Sequence, residues 1–211
     1  MPDPREIIEA KQLVVEGKDT GAFFEAFMDD MGVTGIQIQN FGGVRELSVF
    51  LKALCIMPGF KAQVTSLGIV RDAETSPVAA FRSVCGALNG AGFPVPAQPL
   101  VPVGQSPRVC VLILPDAATP GMLETVLLRA VADDPAMECV DQYFRCVDQQ
   151  TGSLPANMAK AQIQAFLASR PRPSLLTGYA ARAGYLCLDS PAYDDVRQFL
   201  QALQGPTGWP T

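Results

Sequence analysis

An α/β fold with a mainly parallel central sheet is what this sequence predicts, on three observations. Short apolar runs alternate with segments of helical periodicity through the first half of the chain. A strongly apolar run, RVCVLIL, follows a proline-rich connection. The apolar and charged fractions, 48% and 18% of 211 residues, are those of an ordinary globular protein that can bury a core without disulfides or a structural metal.

Residues 12–15 (QLVV) read as a short buried strand, after which Phe23, Phe24, Phe27, Met28 and Met31 recur at helical spacing, with Asp19 or Thr20 as the expected cap. Residues 36–39 (IQIQ) alternate as a strand does. Phe41-Gly42-Gly43 then turns the chain into a helix whose stripe is Val44, Leu47, Leu51 and Leu54. Residues 66–70 (SLGIV) form the third strand, and Ser76-Pro77 is a cap followed by proline at the first helical position, with Val78, Phe81, Cys85 and Leu88 as the buried face.

Residues 93–107 hold five prolines and read as extended connection, and residues 108–114 are a fourth, strongly buried strand. Thr119-Pro120 repeats the helix-start signal ahead of Met122, Leu123, Val126, Leu127 and Ala130. Beyond it the chain is mostly helical, with one stripe of Ala159, Ile163, Phe166 and Leu167 and another of Val196, Phe199, Leu200 and Leu203. The expectation is one domain over 1–211, with a core of about 10–118 and a helical extension of about 119–205; the sequence contains no internal repeat.

The absence of histidine excludes Ser-His-Asp and Cys-His catalysis and His-ligated zinc. Six cysteines without a C-x-x-C pair mostly lie in apolar runs and read as buried thiols of a reducing cytoplasm. The first fifteen residues carry charges and no h-region, and no apolar run approaches 18 residues, so the chain is expected to be neither secreted nor membrane-spanning. A net charge of -5 argues against nonspecific DNA binding over the whole surface, though a local basic patch or a metal would recruit nucleic acid.

Ligands of parallel sheets bind beyond the carboxyl ends of the strands. Here those positions are acidic: Glu16 after the first strand, Asp72 and Glu74 after the third, Asp116 after the fourth, and Glu124 in the first turns of the following helix. Carboxylates converging without counter-ions repel one another, and a divalent cation resolves the conflict. With no histidine and no sensible cysteine geometry the ligands are hard oxygens, which favours Mg²⁺, Mn²⁺ or Ca²⁺. Gly17 would let the backbone turn tightly beside Glu16.

The strings LVVEGKDTGAFF and LGIVRDAE, together with GMLETVLL around Glu124 and AKAQIQAFLASRP around Lys160, resemble the Toprim domain of primases, topoisomerases and OLD-family nucleases. The whole chain, through LLTGYAARAGYLCLDSPAYDDVRQFL, looks most like an uncharacterised prokaryotic stand-alone family of that group. The resemblance implies a Toprim-like sheet of about four or more strands and bound Mg²⁺ or Mn²⁺. It also implies action on nucleic-acid phosphodiesters, as a nuclease. It makes Glu16 the strand-end acid, a metal ligand or the general acid and base, Asp72 and Glu74 the acidic pair, Glu124 a ligand of a second metal, and Lys160 a charge-stabilising catalytic group. Two departures stand out: the pair is Asp72-Ala73-Glu74 where the family has Asp-x-Asp, and Thr20 stands where OLD-type enzymes often carry a Glu.

Each acid also has a plain structural reading. Glu16 would be a solvated acid at a helix start, Asp72 and Glu74 would cap the helix near Ser76, Glu124 would complement a helix dipole, and Lys160 would be an exposed helix lysine. Gly42-Gly43 fits an anion-binding nest or a plain turn, and Arg170 and Arg172 fit a surface turn. No P-loop or G-x-G-x-x-G spacing is present, and the acids do not follow a response-regulator pattern. A noncatalytic binding or regulatory module and a phosphotransfer enzyme acting on a small phosphate ester are the competing functional readings.

Overall fold

The sheet forms where the apolar runs fall. The computed structural model describes residues 3–43, 45–173 and 176–205. In it β1 (Lys11–Val15), β2 (Ile36–Asn40), β3 (Ser66–Asp72) and β4 (Arg108–Leu114) pair in the order β2-β1-β3-β4, every pair parallel. Helices α1 (Lys18–Asp30), α2 (Leu47–Cys55), α3 (Phe60–Gln63) and α4 (Pro77–Gly90) connect the strands. After β4 come α5 (Leu123–Ala130), α6 (Ala136–Thr151), α7 (Met158–Ala168), α8 (Thr177–Arg182) and α9 (Asp194–Gln204). This is the expected α/β architecture with a mostly helical C-terminal part.

Both faces of the sheet are covered, which is why β3 and β4 read as continuous apolar runs rather than alternating ones. On one face Leu13, Val15, Val70 and Leu112 pack with α1, α5, α7 and α9 through Phe23, Val126, Phe166 and Phe199. On the other, Val14, Leu67, Ile69 and Val111 pack with α2, α3 and α4 through Leu51, Phe60 and Val84. α8 crosses α1 so closely that a Cβ on Gly178 would lie 2.5 Å from the Ala22 carbonyl oxygen. The proline-rich connection runs extended along the outer edge of β4, where Val103 and Val109 exchange backbone hydrogen bonds of 2.9 and 2.8 Å.

β2 reverses its own alternation. Gln37 and Gln39 are 8% and 0% exposed, whereas Ile36 and Ile38 are half-buried. Buried amides are tolerated when satisfied. The Gln12 amide donates to Gln37 Oε1 at 2.9 Å, and the Gln39 amide to Gln12 Oε1 at 3.0 Å. The remaining valences hold the N-terminal segment: Gln39 Oε1 accepts from the Arg5 N–H at 2.8 Å and Gln37 Oε1 from the Ile8 N–H at 3.0 Å.

Several local expectations are corrected. α1 is capped by Gly17 at φ 78 and not by Asp19 or Thr20, because the chain leaves β1 and enters the helix within two residues, through a conformation that glycine adopts freely. Ser76 does cap α4, accepting from the Ala79 N–H at 3.2 Å with Pro77 in the first turn. The buried face of α4 is Pro77, Ala80, Val84, Ala87 and Leu88, while Val78 is 55% exposed and Phe81 and Cys85 are half-buried. Of the expected stripe only Leu88 is buried, and the buried face is rotated to take in Ala80, Val84 and Ala87.

Thr119-Pro120 does not start a helix; Asp116 Oδ1 accepts from the Ala118 and Thr119 N–H groups at 2.8 and 2.7 Å, which makes a turn, and α5 begins at Leu123. Val44 lies outside the described residues; Leu47, Leu51 and Leu54 are buried as expected. Of the cysteines, Cys110 alone is buried, being the one on a strand; Cys55 and Cys85 are intermediate, and Cys139, Cys146 and Cys187 are exposed, the first two on the outer side of amphipathic α6. Among the described residues no helix is long and apolar enough to cross a membrane.

Candidate functional site

The strand order fixes where a ligand would enter. The connection leaving β1 carries the chain outward to β2, while the one leaving β3 carries it the opposite way to β4. Between the carboxyl ends of β1 and β3 the sheet therefore has its topological switch point, where the diverging connections leave a crevice. Glu16 directly follows β1, and Asp72 is the last residue of β3.

The two acids belong to opposite faces of the sheet. Continuing the β1–β3 register, in which Val14 is level with Ile69, sets Glu16 level with Arg71. Side chains alternate along a strand, so Glu16 and Arg71 share the side of Val14 and Ile69, and Asp72 shares that of Val70. On the first side the Arg71 guanidinium, 5% exposed, forms an ion pair with Glu16, whose side chain is 19% exposed. On the second, Asp72 Oδ1 accepts the Leu123 N–H at 3.1 Å and so meets the N-terminus of α5. Glu124, the next residue, is half-buried.

Burial, and after it the negative charges of Glu124 and Glu16, pushes the Asp72 carboxyl up to about 7 from an ordinary 3.8, against the opposing Leu123 hydrogen bond and the Arg71 charge. Glu124 and Glu16 are thus each within electrostatic reach of Asp72. Glu74 is not among the charges acting on Asp72; it is exposed, its backbone lies in the left-handed region at φ 52, and it exchanges hydrogen bonds of 2.7 and 2.8 Å with Gly121.

Asp116 is engaged in its own loop. Burial works against its ionisation, but the 2.8 Å ion pair with Arg129 and the two backbone hydrogen bonds outweigh it and hold the carboxyl at about 2. Lys160 is exposed in the first turn of α7. Its N–H donates to the cap residue Asn157 at 3.0 Å, and the Asn157 amide reaches Met122 Sδ at 3.1 Å, so the starts of α7 and α5 adjoin. At Gly42-Gly43 the Gly42 N–H is taken by Asn40 Oδ1 at 2.9 Å, the hydrogen bond of a turn.

A family described as "Protein of unknown function (DUF3226)" matches residues 10–205. The chain belongs to it. The match takes in all four DUF3226 strands and both halves of the switch point. No curated protein and no solved structure matches the chain.

Arg71 is the residue of this DUF3226 site that sequence reasoning missed, and it corrects the assumption that the acids converge without a counter-ion. The available signal was a charged residue at the end of an apolar strand. Among the described residues no group of three or more Asp, Glu or Cys side chains is arranged to hold a metal ion. The donor chemistry does fit one ion on the α5 side. Asp72 and Glu124 are hard-oxygen donors, and Mg²⁺ keeps several waters and is bound through one or two carboxylates together with substrate phosphates.

Proposed function

We propose that the chain is a Toprim-like, divalent-metal-binding protein that acts on nucleic-acid phosphodiesters as a nuclease. The observation that carries this reading is the raised carboxyl of Asp72, held at the switch point against two like charges. A buried acid burdened in that way is a group whose ionised form a cation would favour. Asp72 and Glu124 would hold Mg²⁺ or Mn²⁺, with Glu74 reaching it only through a shift of its loop. When bound, the ion supplies Lewis-acid polarisation of the phosphate and a more acidic water. Glu16, held by its ion pair with Arg71, would act as general acid and base, and Lys160 would offset charge on the phosphodiester from the edge of the α5–α7 junction. A cytoplasmic setting belongs to the same reading and is supported by six unpaired cysteines.

A noncatalytic module with the same fold is favoured by one feature, the neutralisation of Glu16 by Arg71. Incubation of supercoiled DNA and of RNA with Mn²⁺ or Mg²⁺ separates the two. The nuclease reading expects metal-dependent nicking or degradation that Glu16→Gln abolishes in a folded protein. Wild-type activity in Glu16→Gln would show that the cleavage belongs to another residue or a contaminant, and binding without turnover would establish the module.

A further inference from the structure

β2 is an edge strand of the sheet, paired with β1 on one side. The Phe41 N–H donates to the Val15 carbonyl, and Val15 is level with Asn40. Backbone groups alternate in direction along a strand, so Gln37 and Gln39 turn theirs toward β1, and Ile36, Ile38 and Asn40 turn theirs outward. Among the described residues none of these outward N–H and C=O groups has a hydrogen-bond partner. Edges are commonly blunted by lysine, proline or a bulge, and IQIQN in its unbroken register has none of them. Along this edge runs a groove of about 360 Å³, lined in part by Ile38, Asn40 and the flank of α1 that carries Lys18, Gly21, Ala22 and Glu25. We propose that a second copy of this chain pairs here, β2 against β2 and antiparallel, about a twofold axis at Ile38 that joins the two four-stranded sheets into one.

The edge and the helix beside it are both self-complementary about that axis. With three outward residues centred on Ile38, an antiparallel pair sets Ile38 against the partner's Ile38, and Ile36 against the partner's Asn40. Residues opposed in this way exchange both their N–H···O bonds, so every outward group is satisfied. Ile38 is level with the middle of the α1 flank, where a Cβ on Gly21 would lie 3.6 Å from Ile38 Cγ2. Gly21 and Ala22 are small enough for two α1 helices to approach across the axis on one face of the sheet. Lys18 and Glu25 stand on either side of that midpoint, seven residues and about 10 Å apart. Both are exposed, and among the described residues neither is in an ion pair. Antiparallel α1 helices bring Lys18 to the partner's Glu25 and Glu25 to the partner's Lys18, the reciprocal contact of an isologous interface. The carboxyl ends of the two sheets then open in opposite directions, so each copy keeps its own switch point, and the interface is independent of any metal there.

Sedimentation equilibrium of the full-length protein at low salt tests this pairing. The wild type should be a reversible dimer at micromolar concentrations. Lys18→Glu or Glu25→Lys, each placing like charges in contact at both ends of the helix pair, should weaken the dimer about tenfold, and the double variant should return to within about twofold of the wild type. Ile38→Pro removes the two central donors without touching the β1 ladder and should be monomeric. Where Ile38→Pro does not fold, the charge reversals and their exchange decide the matter. A wild type that stays monomeric throughout overturns the proposal. So does a dimer indifferent to the single reversals, or a double variant as weak as either of them.

Discussion

Replacing Asp72 by asparagine should stabilise the protein in alkaline solution, although the substitution removes a charged residue from the heart of the candidate site. The Asp72 carboxyl stands at about 7 in the folded chain against 3.8 when unperturbed, because burial and the charges of Glu124 and Glu16 oppose its ionisation. A folded-state pKa raised above the unfolded one contributes stability that is complete below pH 3.8 and is lost as the pH rises through 7. At about 1.36 kcal/mol for each tenfold change in acidity, the full loss is on the order of 4 kcal/mol, of which about 2–3 kcal/mol falls between pH 5 and pH 8.5. Asparagine keeps an oxygen to accept the 3.1 Å hydrogen bond from Leu123 and has nothing to ionise. Urea unfolding at both pH values should show Asp72→Asn gaining on the wild type by about 2–3 kcal/mol as the pH rises, read as a shift in midpoint at constant slope. Parallel pH profiles for the two proteins, or an asparagine variant that loses ground at pH 8.5, would refute the reasoning.

Glu74→Gly should raise the unfolding free energy by about 1 kcal/mol, since a non-glycine residue in the left-handed region costs roughly 1–2 kcal/mol and glycine gives back part of that in entropy; a drop in urea midpoint would contradict it. Gly178→Ala should cost about 1–3 kcal/mol, because its Cβ would press on the Ala22 backbone where α8 crosses α1, and an unchanged melting temperature would show that the crossing can open. Glu74→Asp, which shortens the acid to the usual Asp-x-Asp form, should leave the ratio of Mn²⁺ to Mg²⁺ affinity unchanged, because Glu74 is exposed and outside the charges acting on Asp72; a narrowed ratio in calorimetric titrations would restore it as a ligand.

The sheet was legible because its strands are buried on both faces. RVCVLIL marks β4 from Arg108 to Leu114 without ambiguity, and the α9 stripe of Val196, Phe199, Leu200 and Leu203 is buried residue for residue. The misreadings share one cause, a local signal whose meaning is set by tertiary contacts. Residues 36–39 were legible as a strand, but which side of it is buried is decided by the N-terminal segment, which supplies partners for Gln37 and Gln39. Thr119-Pro120 has the form of a helix start, but Asp116 claims the Thr119 N–H, and the α5 terminus is met instead by Asp72 from a distant strand. Within the candidate site, the strand-end positions of Glu16 and Asp72 follow from sequence. The separation of the two acids onto opposite faces, and the pairing of Glu16 with Arg71, depend on the β1–β3 register, which a run of apolar residues does not specify.

The central claim is that a divalent cation is held at the switch point by Asp72, and isothermal titration with Mn²⁺ at pH 8 tests it most directly. The account predicts saturable binding by the wild type that Asp72→Asn weakens at least tenfold, a loss that unfolding would not explain in a variant expected to be the more stable of the two. Identical isotherms for the two proteins would contradict it.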